Sequence, residues 1–131
     1  MQRTALQNNK GYTLVEVMVA FVVLLFVTLA TMELAMVSIN ANMKNVIRDE
    51  GVRIAEQTMN DARSAGYDGL VVGVSTASVP RNFRDIVGFT YTATTTVTQL
   101  GGADRSVDVR VNWTWKGESF NQTIATIMRQ Q

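Results

Sequence analysis

Glu16 is the first residue to which a chemical role can be argued. It sits near the start of a long apolar run, Lys10 to Leu34, reading KGYTLVEVMVAFVVLLFVTLATMEL. A carboxylate in such surroundings is costly unless a cation meets it, which marks Glu16 as a functional position. A second acid, Glu33, closes the run and on a helix would lie about 25 Å further along the axis. It reads as the outer boundary of a membrane-embedded segment, with a role in placing the chain beside a partner as the alternative. The rest of the chain offers little reactive chemistry. Histidine and cysteine are absent, which removes the commonest zinc ligands, the thiol nucleophile and the usual neutral-pH general base. Ser106 and Ser119 therefore have no imidazole partner. Asp104 and Asp108 could lie close together, but two acidic residues are too few for calcium. No catalytic constellation emerges, and no metal or cofactor is implied.

The apolar run must be positioned by a helix. The sixteen residues Val17 to Met32 carry no charge and would make about 24 Å of helix. That falls slightly short of the roughly 20 residues needed to span hydrocarbon; counting from Tyr12 and admitting Glu16 supplies the difference. The alternative, a buried helix of a soluble protein, would require a chain of only 131 residues to cover the run on all sides. Ahead of it, MQRTALQNNKG is polar and basic. Arg3 and Lys10 would hold this end in the cytoplasm and send the carboxyl end outward. A secretory signal has its small-residue cleavage site after the apolar region, whereas Gly11 precedes it. Cleavage after Gly11 would leave the helix on the mature protein, with ten basic and eleven acidic side chains and a net charge of −1. Nothing in that balance draws the chain to nucleic acid.

Lys10-Gly11-Tyr12-Thr13-Leu14-Val15-Glu16 and the apolar stretch after it resemble the class III signal and amino-terminal helix of type IV pilins and pseudopilins. The resemblance covers about 25 residues. It implies a prepilin peptidase/methyltransferase that cuts after Gly11 and methylates the new amine of Tyr12, where the family commonly has phenylalanine. Lys10, Gly11, Tyr12 and Glu16 would be the processing residues. Tyr12, Glu16 and Glu33 would take part in subunit assembly. Once Gly11 is removed, the Tyr12 amine lies four residues from Glu16, one turn along the same helical face. It can pair within the chain or with the Glu16 of a neighbour, and pairing between subunits would set a vertical register in a helical bundle. The other reading of Glu16 is an interfacial acid that reaches to water. The apolar stretch has neither proline nor glycine, so a continuous helix is expected, without the proline-associated kink of many main subunits.

Beyond the apolar half, Ile47, Gly51, Ala55, Thr58, Met59 and Ala62 recur at spacings of three and four among charges of both signs, an amphipathic stripe fit to receive a sheet. Gly51 and Ala55 would allow close approach, and Gly66 would cap a helix running from Tyr12 to Ala65. Residues 67–88 read as a connecting loop that could hold one short strand over 70–74. Phe89, Tyr91, Ala93, Thr95 and Val97 then alternate with threonines, and Val107, Val109, Val111, Trp113 and Trp115 share the face of a second strand. Lys116-Gly117-Glu118 turns the chain into a last strand, Phe120 to Met128. Trp113 and Trp115 could form a stacking platform for a ligand, but they continue an apolar face and read as core. Asn112-Trp113-Thr114 and Asn121-Gln122-Thr123 match the short glycosylation pattern, whose use depends on the host.

The expected fold class is α+β and pilin-like: a long amino-terminal helix packed in its second half against a small antiparallel sheet. The expected organisation is a cleaved leader over 1–11, a transmembrane and assembly half over 12–34, an exposed amphipathic half over 35–66, the loop region over 67–88 and the sheet over 89–131. The last two strands also resemble the ending of PilV-like minor pilins and of the I-type pseudopilins of type II secretion. By resemblance the chain is a non-enzymatic minor subunit that initiates or caps a filament. The partners so implied are other pilin or pseudopilin subunits through the helix, an inner-membrane assembly platform, and membrane lipid before assembly. It would sit as a single-pass inner-membrane protein, then in a pilus with possible roles in adhesion and motility, or in a secretion pseudopilus. A different class of reading is a single-span envelope binding module that does not polymerise.

Overall fold

The computed structural model of the chain describes residues 13–84 and 86–130. The expected processing residues Lys10, Gly11 and Tyr12 lie outside the described residues. Five elements follow in order: α1 (Leu14–Gly69), β1 (Gly73–Phe83), β2 (Ile86–Gly101), β3 (Asp104–Trp115) and β4 (Glu118–Arg129). Contacts divide the chain into two units, Met1–Ala41 and Asn42–Gln131.

The described part of the first unit is helix, and every residue from Thr13 to Ala41 is exposed. Leu14 is 80% exposed and Phe21 and Phe26 are each 66% exposed. By length and composition this helix can cross a membrane. Two of its hydroxyls suit that setting: Thr28 donates to the Leu25 carbonyl and Thr31 to the Thr28 carbonyl, both at 2.8 Å. These two polar groups thus find their partners within the helix, as a hydrocarbon solvent demands.

In the second unit, the helix buries Ile47, Gly51, Ile54, Ala55 and Met59. The stripe read from the sequence is there, with Ile54 added and Thr58 and Ala62 half-buried. Four antiparallel strands form a meander in the order β1-β2-β3-β4. Tyr91, Ala93 and Val97 of β2 and Val107, Val109, Val111 and Trp113 of β3 close on the helical residues, together with Leu70. Trp113 packs against the helix at Gly51, where a Cβ atom would come within 2.7 Å of the indole ring. The expected close approach is therefore the reason for this glycine. Tyr91, fully buried, donates its hydroxyl to the Ile47 carbonyl at 2.8 Å and pins β2 to the helix.

Two expectations are corrected. The segment 67–88 is mostly strand: β1 pairs residue by residue with β2 from Gly73↔Val97 to Arg81↔Phe89. Its glycines and Pro80 had read as loop, yet β1 is an edge strand, where a missing N–H is tolerated. The helix starts at Leu14 rather than Tyr12 because Thr13 caps it. At the expected end, Gly66 leaves helical geometry (φ 70°, ψ 177°) after Ala65, so the continuous helix stops there and a separate turn runs to Gly69. Arg105 holds that turn, donating to the Tyr67 carbonyl at 2.6 Å and the Leu70 carbonyl at 2.7 Å while stacking on the Tyr67 ring at 4.0 Å. Gln99 accepts from Arg105 Nε at 3.0 Å and donates to the Tyr67 hydroxyl at 3.3 Å, which ties the sheet to the same turn.

Candidate assembly site

Thr13 caps the start of the helix. Its Oγ1 accepts from the Glu16 N–H at 3.2 Å, and its carbonyl accepts from the Val17 N–H at 3.2 Å. Thr13-Leu14-Val15-Glu16 is thus a cap residue with an acid three positions on, the spacing of a capping box. The arrangement has two consequences. One of the four amide donors orphaned at a helix start is satisfied by a side chain. The Glu16 carboxylate also stands in the first turn, where the positive end of the helix dipole favours an anion. Thr13 was missed as a site residue in the sequence, although the T-x-x-E spacing spells it.

Glu16 shares its face with Val17, Ala20, Phe21 and Leu24. An exposed acid at the edge of an exposed apolar face can do two things at once. The face can pack against another apolar helix, and the acid can accept a cation brought by that helix. Glu33 is exposed as well, but it lies seventeen residues on and therefore about 100° round the axis from Glu16. The helix does not bring the two acids to one face, and a single neighbouring helix would not meet both along one contact line.

The other side chains weighed for chemistry have structural partners. Asp104 forms a bidentate ion pair with Arg129, at 2.8 and 3.2 Å. Hydrogen bonding from Arg129 holds the Asp104 carboxyl below its ordinary range, with the Arg129 charge acting in the same direction. Asp108 accepts from the Ser106 hydroxyl at 2.9 Å. Glu50 accepts from Arg81 at 2.7 Å and from Arg53 at 3.0 Å, linking the helix to β1. Trp113 is 6% exposed and Trp115 packs beside it, so neither ring forms an open platform. Among the described residues no group of three or more acids could hold a metal ion.

Comparison with known proteins adds one finding at the amino end. A family model described as the prokaryotic N-terminal methylation motif matches residues 6–32. No curated protein and no solved structure matches the chain. The chain thus carries a prepilin-type methylation motif on a helix able to span a membrane, followed by a pilin-like layer of helix and four-stranded sheet.

Proposed function

We propose that this chain is a minor structural subunit of a type IV pilus, stored in the inner membrane and drawn into a filament after cleavage behind Gly11 and methylation of the Tyr12 amine. Its role is architectural, not catalytic: it initiates or caps the filament and packs against other subunits through the apolar helix. The observation that carries this reading is the apolar face of the amino-terminal helix, exposed throughout and holding Glu16 in its capped first turn. In water such a face would be untenable. Lipid can cover it first, and neighbouring helices afterwards. A released Tyr12 amine supplies a cation for Glu16, and pairing between subunits fixes how far one helix slides along the next. The peptidase/methyltransferase and an inner-membrane assembly platform are the machinery this route requires.

Two measurements test it. Intact mass and amino-terminal sequencing of the protein from membranes and from sheared filaments should find a chain beginning with methylated Tyr12, at low abundance in the filaments. A chain beginning at Met1 and confined to the membrane would instead support a non-polymerising envelope module, and recovery in a secretion pseudopilus would reassign the filament. Glu16→Ala should insert into the membrane normally but fail to enter filaments; normal incorporation would sink the pairing mechanism.

A further inference from the structure

Where the chain enters the second unit, α1 carries two cations on one face: Lys44 and Arg48 are one helical turn apart. They form one side of a pit of about 80 Å³. The opposite side belongs to the β3–β4 hairpin and includes Trp113, Trp115, Phe120 and Gln122. At about 30 Å³ per water molecule the pit holds roughly two or three waters, the room of one small polar group rather than of a whole ligand.

The rim of the pit is rich in donors. Lys44 stands over the Phe120 ring, with its Nζ 4.7 Å from the centroid. Lys116, in the hairpin turn, stands 5.8 Å over Trp115. Arg48 is exposed and Gln122 half-buried, and neither side chain has an ion-pair or hydrogen-bond partner among the described residues. The acid beside them is Glu118, which meets Lys44 at 3.4 Å with side chains 69% and 52% exposed respectively. A pair so open to water adds little and is readily exchanged. A small anionic group with several acceptor oxygens would engage Lys44, Arg48 and Gln122 together.

Chain continuity says where such a group comes from. The exposed apolar surface of α1 runs on past Glu33 through Leu34, Met36, Val37 and Ile39. Lys44 follows Ile39 by five residues, about 7.5 Å of helix. The headgroup layer on one side of a bilayer is about 5–8 Å deep. Helical side chains lean toward the amino end, so Lys44 and Arg48 reach back toward that layer. Half-buried Trp115 suits the same setting, because indole rings favour the boundary between hydrocarbon and water. We infer that the pit between α1 and the β3–β4 hairpin receives the phosphate of an anionic phospholipid, held by Lys44, Arg48 and Gln122. The inference rests on the reading that the apolar helix enters a membrane, and it gives the folded unit a lipid contact of its own while the chain is stored there.

The test is an amide NMR titration of the full chain in dodecyl maltoside micelles, which carry no phosphate. The probes are dihexanoylphosphatidylglycerol, dihexanoylglycerol as a related lipid without phosphate, and inorganic phosphate as a soluble source of the group. Phosphatidylglycerol should shift amides of Lys44–Arg48 and Trp115–Gln122 with a dissociation constant of about a millimolar or tighter. Dihexanoylglycerol should leave them in place, and inorganic phosphate should bind at least about tenfold more weakly. Arg48→Gln and Lys44→Gln, both at exposed positions, should each weaken phosphatidylglycerol binding by about tenfold with an unchanged unfolding midpoint. Arg63→Gln, at an exposed position further along the helix, should leave binding as it was. Silence with phosphatidylglycerol would overturn the assignment, as would equal shifts with dihexanoylglycerol or undiminished binding by both pit variants. Equal binding of inorganic phosphate would overturn it in favour of a soluble anion, and an equal loss in Arg63→Gln in favour of diffuse charge attraction. Fractionation of the native chain is the separate check: absence from membranes would fail the membrane reading, whereas a membrane-bound chain with a silent pit would fail this inference alone.

Discussion

Gly51→Ala sets two effects of opposite sign against each other. At an exposed helical position the change stabilises by about 1 kcal/mol, because alanine is the better helix former. At Gly51 the new Cβ would stand 2.7, 2.9 and 3.2 Å from three atoms of the Trp113 ring, where carbon atoms prefer about 3.5–4.0 Å. The indole would have to retreat by most of an ångström. It has little room, since Tyr91 lies against it with centroids at 5.7 Å and Phe120 stacks on it at 6.0 Å. Overpacking of this kind costs about 1–3 kcal/mol, so the net expectation is destabilisation of roughly 1 kcal/mol, or a midpoint lower by about 4–8 °C for a unit of this size. Trp113 and Trp115 are the chain's two tryptophans, so urea unfolding in micelles followed by tryptophan fluorescence reads this unit directly. In a Trp113→Phe background, followed through Trp115, the smaller ring should accommodate the methyl group and the sign should turn favourable. Stabilisation by Gly51→Ala in the otherwise unchanged chain would refute the argument that the indole requires a bare backbone there.

Tyr91→Phe should destabilise by about 1 kcal/mol, because the Ile47 carbonyl loses the hydroxyl that reaches it at 2.8 Å. The same residue makes stability fall at alkaline pH. Burial, helped by the Glu50 charge, raises the folded phenol's pKa far above its ordinary 10.0. The unfolded phenol ionises near 10 while the folded one stays protonated, so the contribution is intact below that pH and is lost as pH rises beyond it. Unfolding midpoints between pH 9 and 11 should decline less steeply in Tyr91→Phe than in the parent; equal slopes would count against this account. Arg105→Met keeps much of the side chain's bulk but removes the donors to the Tyr67 and Leu70 carbonyls. Amide exchange should then quicken over residues 66–72 and leave Val107 to Val111 protected, whereas uniform quickening would show that Arg105 does not act locally.

Much of this architecture is legible in residue types. The alternation from Phe89 to Thr98 and from Val107 to Trp115 fixes which face is buried, because a strand's side chains alternate strictly. The helical stripe was readable for the same kind of reason, though Ile54 went unassigned between Gly51 and Ala55. β1 was obscured because Gly69, Gly73 and Pro80 punctuate it as they would a loop; only its place at the sheet's edge makes proline harmless there. The Thr13 cap was spelled out but overshadowed by the acid it accompanies. The end of the β2–β3 ladder at Thr92↔Asn112 has no sequence signature, because period-two alternation continues through Tyr91 and Trp113 whether or not the backbones still pair.

The meander has a consequence for how the chain can acquire its shape. Every strand pairs with its immediate neighbour in sequence, and the joining turns are tight, as at Gly101↔Asp104 and Trp115↔Glu118. Such a sheet can zip hairpin by hairpin with small loop-closure entropy at each step. The distant encounter is the docking of the finished sheet on the helix, where Tyr91 finds Ile47 across 44 residues of sequence. The sheet could therefore build itself unaided, leaving the seat of Trp113 on Gly51 as the step that locks the fold.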